Sequence, residues 1–169
     1  MNRFFAAAIF AFLLSGQQAS AQESLRARMV WFGHYTSGEL KSVDDPNSPT
    51  GKHHFSTGTK GPATNSDRIA IAPTGITSFG FGYQLSGVPN GTSVRTIHIV
   101  RFPGKGVPGK DGRTQQTSTL PGSDVVGNEA HIGWRMNGKE PKEYEGVWTF
   151  QVWSEQRLLL EHKFTVHRP

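Results

Sequence analysis

The carboxyl-terminal stretch Gly146-Val147-Trp148-Thr149-Phe150-Gln151-Val152-Trp153, followed by Ser154-Glu155-Gln156 and then Arg157 to Val166, alternates apolar with polar residues. Successive side chains of a strand point to opposite faces, so Trp148, Phe150 and Val152 share one face, and Leu158, Leu160, Phe164 and Val166 share a face of the next strand. Two strands meeting at a short polar turn predict a buried hairpin that closes a sheet. This one feature restricts the chain to sheet-based architectures.

The rest of the chain repeats the theme. Candidate strands occur at Ala27 to Tyr35, Arg68 to Ala72, Ile76 to Leu85, Val94 to Phe102, Arg113 to Leu120, Ala130 to Met136, Val147 to Trp153 and Leu158 to Val166. They are rich in Ile, Val, Thr, Phe, Tyr and Trp, and no window of twelve carries an apolar stripe at helical spacing. Gly, Pro, Asn, Asp and Ser fill the connections, with tight-turn signals at Asn90-Gly91 and Asn137-Gly138. The expected fold is all-β: a single immunoglobulin-like antiparallel β-sandwich of about seven to eight strands, with a barrel as the alternative. Asp44 to Asn65, with almost no apolar content apart from Phe55, and the Gly- and Pro-rich Pro103 to Gly112 read as surface loops, the places where a rigid scaffold presents binding determinants.

Met1 to Ala21 has the three parts of an export signal: basic Arg3, an apolar run from Phe4 to Leu14, and Ala19-Ser20-Ala21 as a small-x-small cleavage site. The eleven apolar residues fall far short of the roughly 20 needed to cross a bilayer, which favours a cleaved signal over a transmembrane anchor. The chain has no Cys, which excludes a lipid anchor at the cleavage site and any disulfide framework. Cleavage after Ala21 leaves a β-sandwich domain over 22–169, periplasmic or secreted and held by its core alone. Losing Arg3 takes the 18 Lys and Arg to 17 against 13 Asp and Glu, a formal charge of +4 with no two basic residues adjacent. That is a solvated basic surface, suited at most to an acidic envelope surface; nucleic-acid recognition would need a clustered patch interleaved with aromatics.

Chemistry is sparse along the chain. Gly104-Lys105-Gly106-Val107-Pro108-Gly109-Lys110-Asp111 satisfies G-x-x-x-x-G-K, but Asp111 stands where a hydroxyl should reach magnesium and no helix follows, so it reads as a Gly-Pro turn. A metal site built without Cys would need several of His34, His53, His54, His98, His131, His162 and His167 to converge, and their spacing shows no convergence. His162, in phase with Leu160 and Phe164, reads as a hydrogen-bonded sheet residue. Thr77-Ser78-Phe79-Gly80 lacks the leading Gly of a nucleophile elbow, and Asp44-Asp45, Glu140, Glu143 and Glu145 sit in solvated, turn-like surroundings. No catalytic residue and no cofactor is assigned. Trp148 belongs to the core by its phase. Trp31, Trp134 and Trp153 are the candidates for a sugar-stacking surface, with Trp153 in the outward phase.

Phe79-Gly80-Phe81-Gly82-Tyr83-Gln84-Leu85-Ser86-Gly87-Val88-Pro89-Asn90-Gly91, the strand Val94 to Phe102 before Pro103, and Glu145-Gly146-Val147-Trp148-Thr149-Phe150 with Phe164-Thr165-Val166 occur in that order. Across nearly all of the mature chain this resembles the bacterial exported family catalogued as domain of unknown function 3859. The resemblance implies a secreted or periplasmic β-sandwich and carries over no activity, ligand or catalytic residue. The expected function is a non-enzymatic module that binds an envelope protein or polymer through loops at one end of the sandwich. The alternatives are a carbohydrate-recognising protein using exposed Trp and a His-dependent metalloenzyme built around His53 and His54.

Overall fold

The computed structural model describes residues 24–36, 38, 40–45, 48–56 and 63–169. The expected export signal, Met1 to Ala21, lies outside the described residues. Twelve strands follow in chain order among those described: β1 (Arg26–His34), β2 (Leu40–Asp44), β3 (Lys52–Ser56), β4 (Arg68–Ala70), β5 (Ile76–Ser86), β6 (Ser93–Arg101), β7 (Val107–Pro108), β8 (Thr114–Gln115), β9 (Thr117–Val125), β10 (Glu129–Asn137), β11 (Gly146–Ser154) and β12 (Arg157–His167). A single 3-10 turn, Lys142–Tyr144, precedes β11.

Eight of these strands form a β-sandwich. One sheet has the order β1-β5-β10 and the other the order β4-β12-β11-β6-β9, while β2-β3 and β7-β8 are small separate ladders. Every pairing is antiparallel except that of the three-residue β4 beside β12, which is parallel. The core lies between the sheets. Phe79, Phe81 and Tyr83 from β5 and Trp148, Phe150 and Phe164 from the facing sheet are all fully buried. Phe79 meets Trp148, Phe150 and Phe164 edge to face, each at a 5.5 Å centroid separation, a geometry that aromatic quadrupoles favour. This cluster spans both layers, where other sandwiches of this type carry a disulfide. The Trp148 indole N–H is also satisfied, by the Tyr144 carbonyl at 2.8 Å.

The Phe-Gly-Phe-Gly-Tyr run of β5 has a structural explanation. Its aromatic residues face the core, and the intervening glycines leave room on the outer side, Gly80 against the Ile132–Gly133 backbone and Gly82 beneath the Trp31 ring. A Cβ on Gly82 would lie 2.2 Å from Trp31 Nε1, and one on Gly133 of β10 would lie 2.2 Å from Tyr35 Oη. Both faces of the central strand are therefore covered, which is why β5 is buried almost continuously instead of on alternate residues.

Strand locations match expectation closely, with four differences. First, the terminal hairpin shifts register between Val152 and Trp153: Val152 pairs with Leu160 but Trp153 with Leu158, which leaves Leu159 as an extra residue. Leu158 therefore does not share a face with Leu160; it joins Trp153 on the outer face and is 40% exposed. Second, the expected loop from Asp44 to Asn65 contains β3, which pairs with β2 in a hairpin. Third, Pro103 to Gly112 contains β7, paired with β8. Fourth, the strand expected over Arg113 to Leu120 begins later and runs through Pro121 to Val125. Pro121 is tolerated because β9 is an edge strand and needs no hydrogen bond from that position. The turn at Gly109–Asp111 is closed by its own backbone, since the Gly109 amide donates to Arg113 and the Gly112 amide to Gly109. These amides are spent on backbone carbonyls, as in an ordinary turn.

Candidate functional site at the mouth between the two sheets

β9 ends the five-stranded sheet and β10 ends the three-stranded one, and between these two edges the sandwich opens into a cleft of about 400 Å³. Ala130, Ile132 and Trp134 line it from one face of β10, and His131, Gly133 and Arg135 from the other. Residues from both faces of one strand can border a single space only if that space runs along the strand's edge. The opposite wall is built by His98 and Val100 of β6 with Ser118, Leu120 and Asp124 of β9. Ser48, Thr50, Lys52 and His53, around the β2-β3 turn, form the rim.

A hydrogen-bonded group crosses the inner end of this cleft. The Tyr83 hydroxyl lies 2.5 Å from Asp124 Oδ2 and 2.6 Å from His98 Nε2, and Thr96 Oγ1 donates to the same Asp124 oxygen at 2.7 Å. A tyrosine has one proton to give, and Asp124 takes it. His98 must then donate from Nε2 to the tyrosine oxygen, which assigns the proton to that ring nitrogen. Burial by itself would raise the Asp124 pKa, but the hydrogen bonds with His98, Thr96 and Tyr83 outweigh it and hold the carboxyl down at about 2. Burial, reinforced by the neighbouring carboxylate, pushes the Tyr83 hydroxyl far above the usual tyrosine range. Tyr83 stays protonated and Asp124 stays charged across the physiological range.

A second group sits on the outer side of β10. Trp31 Nε1 donates to Glu129 Oε1 at 2.7 Å, and the Trp31 ring packs against Tyr35 at 5.2 Å and His131 at 6.4 Å. Burial raises the Tyr35 hydroxyl to about 12. Burial, then the nearby His98, lowers the His131 pKa, so His131 is neutral at neutral pH. Trp134 packs between Phe102 and Trp148, and its Nε1–H is buried without an acceptor among the described residues.

Two of these groups are held out of proton transfer at neutral pH. Tyr83 is held protonated, so it is no nucleophile, and Asp124 is too acidic to deliver a proton at neutral pH. Among the described residues, no three His, Asp or Glu side chains gather as a metal-ligand set. His98 and His131 reach the cleft and His53 its rim, while the side chain of His54 lies outside what is described. His162 is the hydrogen-bonded sheet residue expected, 2.6 Å from Asp67 and packed on Phe32 and Phe164. His34, at the end of β1, has its pKa lowered by burial and by His167. Asp44, paired with Lys52 at 3.8 Å, is solvated as expected, whereas Glu145, paired with Arg168 at 3.0 Å, is partly buried.

The three candidate stacking tryptophans do not share a surface. Trp31 lies over β5, Trp134 is enclosed by Phe102 and Trp148, and Trp153 is on the outer face of the other sheet, where its Nε1 donates to Gln151 at 3.1 Å. Tyr83 and Asp124 are not singled out by the sequence. Tyr83 looks like one more core residue of its strand. Asp124 lies beyond Pro121, where the pattern ends, although it is in phase with the inward-facing Leu120.

With this geometry in place, comparison with known proteins adds one firm result. An immunoglobulin-like protein from Pseudomonas aeruginosa superimposes with a TM-score of 0.55 at 20% sequence identity, over 87% of this chain and 99% of that one. The two share a fold. At that identity the likeness extends to the fold alone. An alkylpurine DNA glycosylase from Pseudomonas fluorescens matches at a TM-score of 0.35, 12% identity and 31% of its own length, which carries no argument. No protein-family model and no curated protein matches the chain. No helix among the described residues is long and apolar enough to cross a membrane.

Proposed function

We propose that this protein is an exported, non-enzymatic immunoglobulin-like binding module of the bacterial envelope, and that it takes its protein partner in the cleft between β9 and β10. One observation carries the reading: the carboxylates at the cleft already have partners, Asp124 in Tyr83, Thr96 and His98, and Glu129 in Trp31. What the cleft offers a guest is shape, hydroxyl groups, the basic side chains of Lys52 and Arg135, and apolar wall, which is the make-up of a recognition site. The signal-like Met1 to Ala21 and the resemblance to the exported domain of unknown function 3859 family support the envelope setting. The rim residues come from the long polar segment read as a binding loop, so the binding surface is the cleft beneath that segment and not the loop tips alone.

The test uses purified mature protein on beads against envelope extract, beside a Ser118→Trp variant whose indole fills the cleft from its buried β9 position. Saturable capture of a protein by the wild type, lost in the folded variant, is the expected result. Capture of nothing above background at several salt concentrations, or equal capture by both, would sink the proposal.

A further inference from the structure

Four strands have an outer edge in this sandwich, and three of them are blunted. β4 is three residues long, β1 carries a bulge between Met29 and Trp31, and β9 contains Pro121. Short strands, bulges and prolines are the usual means by which sheet edges avoid adding a foreign strand. β10 has none of them: it is nine residues long, in unbroken register with β5, and pairs with no other described strand.

Hydrogen-bond phase shows which β10 groups are available. The Tyr35 amide donates to the Ser78 carbonyl, so Ser78 faces β1, and its neighbour Phe79 faces β10 and its partner Trp134. Trp134 and Ile132 therefore spend their backbone groups on β5. The amides and carbonyls of His131, Gly133 and Arg135 point the other way, along the cleft that these residues line. The same reasoning on β9, where the Phe102 amide donates to the Gln116 carbonyl, places Pro121 in the outward phase, at a position where an added strand would need an N–H.

We infer that the cleft accepts an extended, proline-free segment of the partner polypeptide, which adds to β10 as an antiparallel strand. This rests on the cleft being the binding surface. Main-chain bonds to His131, Gly133 and Arg135 hold the segment, and its side chains alternate between two environments. One set enters the space walled by Val100, Leu120 and Ile132, which suits small apolar residues. The other set lies on the Arg135 side, and Lys52 adds a positive charge at the rim, so acidic and hydroxylated residues suit it. The β9 edge and the 48–53 rim border the same cleft, so an edge strand of a second copy of this chain would have to share the space with them.

The probe is a fluorescein-labelled octapeptide, Ser-Val-Asp-Val-Thr-Val-Glu-Ser, with companions carrying Ala or Ile in place of Val, read by fluorescence anisotropy. In an antiparallel pair, a guest residue whose backbone faces Gly133 has its side chain on the Arg135 side. N-methylation of the Asp, Thr and Glu amides should therefore weaken binding by about tenfold or more, while N-methylation of the Val amides should leave it nearly unchanged. Arg135→Pro removes an outward N–H and should weaken the unmethylated peptide similarly, whereas Arg135→Gln, which keeps that N–H, should cost about threefold or less. The methylated peptides keep the test decisive if Arg135→Pro fails to fold. No saturable binding by any octapeptide, equal weakening by both methylation patterns, or a dimer in sedimentation that the peptides do not dissociate would overturn strand addition. An envelope partner captured equally by Arg135→Pro but lost with Ser118→Trp would reject strand addition and leave the cleft as the binding surface.

Discussion

The Tyr83 hydroxyl of β5 and the Asp124 carboxylate of β9 meet at 2.5 Å, joining the two sheets at the inner end of the cleft. Because Asp124 has a pKa of about 2 in the fold against 3.8 unperturbed, its contribution is present above pH 3.8 and disappears as pH falls through about 2. That shift corresponds to about 2 kcal/mol. Urea midpoints measured from pH 5 to pH 2 should fall in the wild type, and Asp124→Asn should flatten much of that acid limb. A variant with an unchanged acid limb would show that the carboxylate is not held as described.

Removing the tyrosine proton donor should raise the Asp124 pKa, because one of its three hydrogen-bonding partners is lost. In Tyr83→Phe the acid limb should therefore be shallower and level off at a higher pH than in the wild type, while its onset, set by the unfolded carboxyl, stays where it was; the same urea series reads the limb and carboxyl carbon chemical shifts read the raised pKa.

Trp148→Ala removes a fully buried indole that touches Phe79, Phe102, Trp134 and Tyr144, and should cost about 3 to 5 kcal/mol in urea melts. Gly82→Ala should cost about 1 to 3 kcal/mol, because its methyl group displaces the Trp31 ring. It should also red-shift tryptophan emission as that ring leaves Glu129 for water. A loss of stability with unchanged emission would place the strain elsewhere.

The turn between β11 and β12 holds Glu155 at φ 47° and Gln156 at φ 66°, the left-handed pair of a two-residue hairpin turn. Neither residue favours that region. Replacing both, Glu155→Asn with Gln156→Gly, should raise stability by about 1 kcal/mol, read as a higher urea midpoint with an unchanged slope.

The sandwich was legible because its inner faces keep a strict period: Phe79, Phe81, Tyr83 and Leu85 on β5, and Trp148, Phe150 and Val152 on β11, are all buried as their phase requires. Leu158 escaped that logic because a single inserted residue, Leu159, reverses every side chain on its far side. β3 was hidden in a polar segment, since a hairpin that lies outside both main sheets has little apolar face to reveal it. The cleft was less legible still. It is built from Tyr83, disguised as core, from Asp124, hidden behind Pro121, and from an edge that exists only once the strand order is known. No periodicity in the chain encodes which strands end a sheet.

The claim that the β9–β10 cleft is where this protein binds is tested most directly by amide hydrogen exchange on the mature protein, alone and saturated with the partner recovered from envelope extract. The account predicts slowed exchange concentrated at 118–124 and 129–135 and strongest at His131, Gly133 and Arg135. Slowing confined to the outer face around Trp153 and Leu158, or to the turns at the opposite end of the sandwich, would contradict it.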